Sequence, residues 1–182
     1  MVFIDETGFL LHPLVRRTWA PRGRTPILRQ RTRHHRRVSA IGGLSISPRR
    51  RHLGWYLQFH VDATIRQEQV LDFLRHLLRH LGGPLIVVWD RLAAHRSRAL
   101  RPPRRGRRRR VHVEYLSGYA PELNPNEYGW AYLKNHPLAN YCPMDVEQLH
   151  TRVVVVAQDV AGHQDLLRSF VHATGLSIQW GQ

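Results

Sequence analysis

Leu85-Ile86-Val87-Val88-Trp89-Asp90 is the stretch that decides the fold. Five consecutive apolar residues are the signature of a strand buried on both faces, as in a parallel sheet, and the run stops at an acid. Just before it, Thr64 to Leu81 carries Val70, Leu71, Phe73, Leu74, Leu77, Leu78 and Leu81 at helical spacing, and Gly82-Gly83-Pro84 supplies the stop. Further upstream, Val2-Phe3-Ile4 reads as a short buried strand ending at Asp5-Glu6, and Leu10 to Gln30 as loop. Arg37 to Ser47 reads as a strand whose glycine pair predicts a bulge or a close backbone approach. Pro48 to His52 is a basic turn and Leu53 to Val61 another strand, so the two strands form a hairpin. Downstream, Ala93 to Leu100 is a short helix, Pro102 to Arg110 a basic linker and Val111 to Leu116 a strand. A turn over Gly118 to Pro125 leads to helices at Asn126 to Asn135, Asp145 to Val160 and Gln164 to Thr174. Strands first, then alternating helix and strand, predict an α/β fold: one mixed sheet with helices on both faces.

The 182 residues are 42% hydrophobic and 23% charged, which excludes a disordered or fibrous chain. The longest aliphatic block, Val153 to Ala157, is far short of the ~20 residues a membrane span needs, so no membrane partner is expected. Asp5 and Glu6 occupy the place where a signal peptide carries basic residues, and the single cysteine, Cys142, fits a reducing compartment. A cytoplasmic protein is expected. The net charge is +15, and 27 of the 28 cations are arginine, Lys134 being the exception. Arg16 to Arg37 holds nine arginines and Arg91 to Arg110 ten, with no acid in either. Such fields attract polyanions, nucleic acid first among them, although a plain solvated surface has the same composition.

Three acids stand out by position. Asp5 closes the first strand, Asp90 closes the most apolar one, and Glu127 lies in the first turn of a helix. Ligands of open α/β sheets bind beyond strand ends, where these three side chains can meet. Such a trio suits Mg2+, which takes oxygen ligands, and a pair of such ions activates a water or a 3′-hydroxyl against a phosphodiester. Each acid also has a plainer reading. A strand-end Asp is commonly a turn residue, and Asn124-Pro125-Asn126-Glu127 matches an N-cap, a proline at N1 and a capping-box Glu at N3. His76 and His80 have the i, i+4 spacing of a helical zinc pair, but no cysteine cluster completes a site, and a polar helix face is expected. Trp19, among basic residues, is suited either to stack on DNA or to pack under its loop.

The residues around these acids carry a resemblance. Phe3-Ile4-Asp5-Glu6-Thr7-Gly8-Phe9, Trp19-Ala20-Pro21-Arg22-Gly23, Val88-Trp89-Asp90 with His95 following, Tyr115-Leu116, Tyr119-Ala120-Pro121-Glu122-Leu123-Asn124-Pro125-Asn126-Glu127 and Trp130 to Lys134 together resemble the DDE superfamily endonuclease catalytic domain of mariner-type transposases, in their bacterial insertion-sequence branch. Thirty-six residues separate Asp90 from Glu127, within that group's range. Arg91 stands where the family carries Asn, and Ser117-Gly118 where it favours proline before the tyrosine.

The resemblance implies a ribonuclease-H-like fold, with residues 1–140 as the catalytic domain and 141–182 as a helical extension packed on it. Asp5, Asp90 and Glu127 would be both catalytic and metal-binding, for Mg2+ or Mn2+. Double-stranded DNA, at element ends and target, is the implied partner, with Arg16, Arg17, Trp19, Arg22, Arg24, Arg91, His95, Arg107, Arg108 and Lys134 as contacts. Phosphodiester hydrolysis and strand transfer, a homodimer and a bacterial nucleoid-associated location follow as expectations. Full-length relatives carry helix-turn-helix modules upstream, so the expectation is a catalytic domain without them. Another ribonuclease-H-like nuclease and an inactive DNA-binding remnant are the alternatives.

Overall fold

The computed structural model describes residues 1–29, 36–49, 52–90, 111–118 and 120–178. Five strands form one sheet: β1 Val2–Leu10, β2 Arg37–Ile46, β3 Leu53–Val61, β4 Leu85–Trp89 and β5 Val111–Tyr115. Their order across the sheet is β3-β2-β1-β4-β5. The first three pair antiparallel, and β1–β4 and β4–β5 pair parallel. The chain therefore starts in the middle of its own sheet. Helix α1, Gln67–Leu81, covers one face through Val70, Phe73, Leu74 and Leu77, packed on Val2, Ile4, Ile41, Val87 and Trp89. Helices α2 Pro125–Asn135, α3 Val146–Gly162 and α4 Gln164–Ala173 cover the other, where Phe3, Phe9, Leu44, Trp55, Trp130, Val153 and Phe170 share one core. The mixed sheet with helices on both faces is as expected. Among the described residues no helix is long and apolar enough to cross a membrane.

Two expectations need correction. The first strand does not end at Asp5-Glu6; it continues to Leu10, paired with β2 down to Leu10↔Arg37. A ladder of backbone hydrogen bonds to the hairpin strand holds Asp5 to Gly8 extended, and that partner cannot be read from the local apolar run. Asp5 is thus a mid-strand residue, and its shared edge arises because the β1–β4 pairing stops early, at Phe3↔Val88. The glycine pair makes no bulge: β2 stays in register with both neighbours through Gly42 and Gly43. It serves a close approach of side chains instead of backbone. A Cβ on Gly42 would lie 2.6 Å from Trp130 Cζ2, and one on Gly43 3.1 Å from Val2 Cγ1.

Helix α1 begins at Gln67, later than the pattern from Thr64, because Asp62 (φ 48°) turns the chain out of β3. Gln69 then accepts the Arg66 backbone N–H at 2.9 Å and caps the helix start. At the outer edge of the sheet, Gln164 binds Leu53 twice: the Leu53 N–H donates to Oε1 at 2.9 Å, and Nε2 donates to the Leu53 carbonyl at 2.8 Å. His76 and His80 stack with ring centroids 4.0 Å apart beside Tyr56, and His80 Nδ1 lies 2.8 Å from the His76 carbonyl oxygen.

Candidate active site

Alternation along β1 turns Phe3, Asp5, Thr7 and Phe9 toward α2. On α2, Asn126, Trp130 and Lys134 recur every four residues and form one stripe. Four helical residues rise about 6 Å and two strand residues about 6.6 Å, so the two rows match rung by rung. Asn126 Nδ2 donates to the Phe3 carbonyl at 2.8 Å, Trp130 Nε1 to Asp5 Oδ2 at 2.9 Å, and Lys134 Nζ to Thr7 Oγ1 at 2.6 Å. Lys134 Nζ also lies 5.5 Å from the centroid of the Phe9 ring. The Trp130 indole reaches Asp5 only because Gly42, directly opposite Asp5 on β2, leaves its place open. Trp130 then leans on Trp55 at 5.1 Å between centroids, and Trp55 in turn fills the space a side chain at position 129 would need.

The N-terminus of α2 brings Glu127. Asn124 caps the helix by accepting the Asn126 backbone N–H at 3.1 Å, with Pro125 at N1, so the cap bond serves N2 and not N3. Glu127 is exposed on that first turn, Asp90 is half-buried just past β4, and Asp5 is buried between them at 9% exposure. Burial first, and the Glu127 charge second, raise the Asp5 carboxyl from 3.8 to about 7. The Glu6 backbone and the Trp130 indole oppose this by hydrogen bonding, and Asp90 adds a smaller upward contribution. The ammonium of Lys134 is pulled below its ordinary value by burial, against the attraction of Glu127 and Asp5. The charges of the other two sequence-chosen acids, Glu127 and Asp90, therefore both act on Asp5. The three are not drawn tight: among the described residues, no three His, Cys, Asp or Glu side chains are clustered closely enough to hold a metal ion as they stand.

The remaining candidates fall unevenly. Lys134 adjoins the acids. Arg16 is fastened to the α2–α3 connection: its N–H donates to Asn140 Oδ1 at 2.8 Å, its carbonyl accepts from Asn140 Nδ2 at 3.0 Å, and its guanidinium donates to Asn135. Arg17, Arg22 and Arg24 are exposed on the same loop, and Trp19 is 100% exposed, so packing under the loop is ruled out for it. Arg91, His95, Arg107 and Arg108, the expected helix at Ala93 to Leu100 and the linker at Pro102 to Arg110 lie outside the described residues.

Sequence reasoning missed Trp130, Asn124 and Asn126 as parts of the site. The i, i+4, i+8 spacing of Asn126, Trp130 and Lys134, facing a strand with alternating Asp5 and Thr7, was the signal that could have found them.

A central strand carrying a buried acid, a parallel neighbour followed by a second and a helix across the sheet bearing a third have the layout of a ribonuclease-H-like fold. This chain belongs to the DDE superfamily endonucleases, whose family profile matches residues 1–150. Its fold is similar to that of the Mos1 transposase paired-end complex with left transposon end, at a TM-score of 0.65 and 17% identity, covering 95% of this chain and 51% of that one. It is also similar to the Mos1 mariner paired end complex with Mn, at 0.64 and 16%, covering 98% and 56%. The corresponding complex with Mg gives 0.62 and 16%, covering 96% and 53%. The chain thus spans about half the length of these structures. No curated protein sequence matches it.

Proposed function

We propose that this chain is the catalytic domain of a mariner-type DNA transposase, cutting DNA strands at element ends and joining them to target DNA. The observation that carries the reading is the buried Asp5 carboxyl, pushed to about 7 with Glu127 and Asp90 both contributing to the rise. A fold has little reason to bury a carboxyl among like charges unless something positive joins them. The donor set fits a hard divalent cation, Mg2+ or Mn2+, because every donor is a carboxylate oxygen. Asp5, Asp90 and Glu127 would hold the cations, which when bound would activate the attacking oxygen and stabilise the leaving one. The chain's own residues do the rest. Trp130 orients the Asp5 carboxylate, Lys134 sets a positive charge beside the acids, and Asn124 fixes the helix start that carries Glu127. Arg16, Arg17, Arg22 and Arg24 would contact phosphates, and Trp19, fully exposed among them, would stack on DNA or wedge a groove.

A second reading has one observation in its favour. Among the described residues no three acids lie close enough to hold a metal ion as they stand, as in a DNA-binding remnant that no longer cuts. Asp90→Asn and Glu127→Gln separate the two. Both variants should fold with unchanged circular dichroism and lose Mn2+-dependent nicking of supercoiled plasmid. Nicking equal to that of the parent protein would refute the assignment. A parent protein that neither nicks nor takes up Mn2+ would establish the remnant.

A further inference from the structure

The three-rung match between α2 and β1 leaves open what sets the height of Glu127 above Asp5. Resting on the reading of the acids as a metal site, we infer that Asn124 and Asn126 are positioning residues, a pair of buried amides that latch the start of α2 to β1 and thereby fix the spacing of Glu127 from Asp5. The latch lies where β1 loses β4 as a neighbour while its pairing with β2 continues. Pairing between β1 and β4 ends at Phe3↔Val88. The Phe3 carbonyl accepts from Asn126 Nδ2 at 2.8 Å, and the next carbonyl, Ile4, accepts from Asn124 Nδ2 at 3.0 Å. Asp5 is the residue that follows, and Glu127 follows Asn126. Each acid is thus the residue next to a latched one.

The orientation of both amides is forced. Trp55 Nε1, which can only donate, points at Asn126 Oδ1 at 2.9 Å, so the Asn126 amino group must face the Phe3 carbonyl. Asn124 Oδ1 accepts from both the backbone N–H and Nδ2 of Asn126, each at 3.1 Å, so its amino group must face Ile4. Asn126 is 0% exposed and Asn124 3%, and each has partners for its carbonyl oxygen and its amino group. A buried, mutually satisfied pair of this kind has a single arrangement, and a slip of one helix residue would break every bond in it. Capping alone does not require it: serine or aspartate caps a helix as well as asparagine, but neither can donate to a strand carbonyl through an amide.

That difference provides the test. Asn124→Ser keeps the cap and removes the amino group that holds Ile4. Gln164→Ala removes two hydrogen bonds to Leu53 at the outer edge of the sheet but leaves both amino-group bonds to β1. The full chain, its Glu127→Gln variant and these two are titrated with Mn2+, and free metal is read by its electron paramagnetic resonance signal, with unfolding in urea followed in parallel. Residues behind metal ligands commonly change affinity by 10- to 100-fold. Asn124→Ser should therefore weaken Mn2+ uptake about tenfold or more, while Gln164→Ala, destabilised in urea, should stay within about twofold of the parent. Asn126→Ser serves as a second latch variant with the same expected loss, so the test survives if either latch variant fails to fold. The inference is overturned if a folded latch variant binds Mn2+ like the parent, or if Gln164→Ala weakens binding equally. Those failures are distinct from failure of the underlying reading, which shows instead as no uptake by the parent or undiminished uptake by Glu127→Gln.

Discussion

Replacing Asp5 by asparagine should stabilise the metal-free protein, and by an amount that depends on pH. In the unfolded chain the Asp5 carboxyl titrates near 3.8, whereas in the folded protein burial and Glu127 move it to about 7. Between those values the folded state holds a proton that the unfolded state has released, so stability falls as pH rises through this window. The full interval corresponds to about 4 kcal/mol, absent below pH 4 and complete near pH 8. Asparagine preserves the shape and an oxygen to accept the Trp130 indole, but has no proton to lose. Urea unfolding of the two proteins in a chelator, repeated from pH 4 to pH 8, isolates the effect because the other titrating groups are common to both. The difference in unfolding free energy should swing by about 4 kcal/mol in favour of the variant as pH rises. Adding Mn2+ at pH 8 should restore stability to the parent alone, by about 2.7 kcal/mol at a hundred times its dissociation constant. Parallel pH curves for parent and variant would refute the reasoning, since Asp5 would then titrate alike folded and unfolded.

Three further outcomes follow from the packing. Gly42→Ala drives a methyl to 2.6 Å from the Trp130 ring and should cost about 1–3 kcal/mol; the same urea titration, read by tryptophan fluorescence, measures it. Gln164→Ala frees both the N–H and the carbonyl of Leu53 at the sheet edge and should cost about 1–3 kcal/mol, seen in the urea midpoint. Trp19→Ala, at a 100% exposed side chain, should leave thermal stability unchanged within about 0.5 kcal/mol while weakening duplex binding about tenfold by fluorescence anisotropy.

Periodicity along the chain was enough for the layered architecture. The apolar block at Leu85–Trp89 and the amphipathic stripe of α1 each announce themselves locally, because burial on two faces or one leaves a direct trace in residue order. The extent of β1 left none: Thr7 and Gly8 are extended because Ala40 and Ser39 lie opposite them, a fact about distant residues. The three acids were legible as positions, since each lies next to an element boundary or an apolar run. Their environment was not. That Asp5 is buried depends on Trp130 arriving from 125 residues away through a space kept open by Gly42. The glycine pair was noticed for its backbone, and its use turned out to be room for an indole. Asn124 read as a cap and is one, yet its amino group's bond to Ile4 joins two segments 120 residues apart, which no local motif encodes.

The overwhelming preference for guanidinium over ammonium has a practical corollary. With one lysine in 182 residues, the sole side-chain primary amine of the protein adjoins Asp5 and Glu127. Burial depresses its proton affinity, so a larger share is free base at neutral pH than for a solvated lysine, and acylation mapped to the peptide that carries Lys134, apart from the Met1 amine, would report occupancy of this locality. A protease specific for lysine has a single cleavage point here, inside α2, where a native fold shields it and an open one does not.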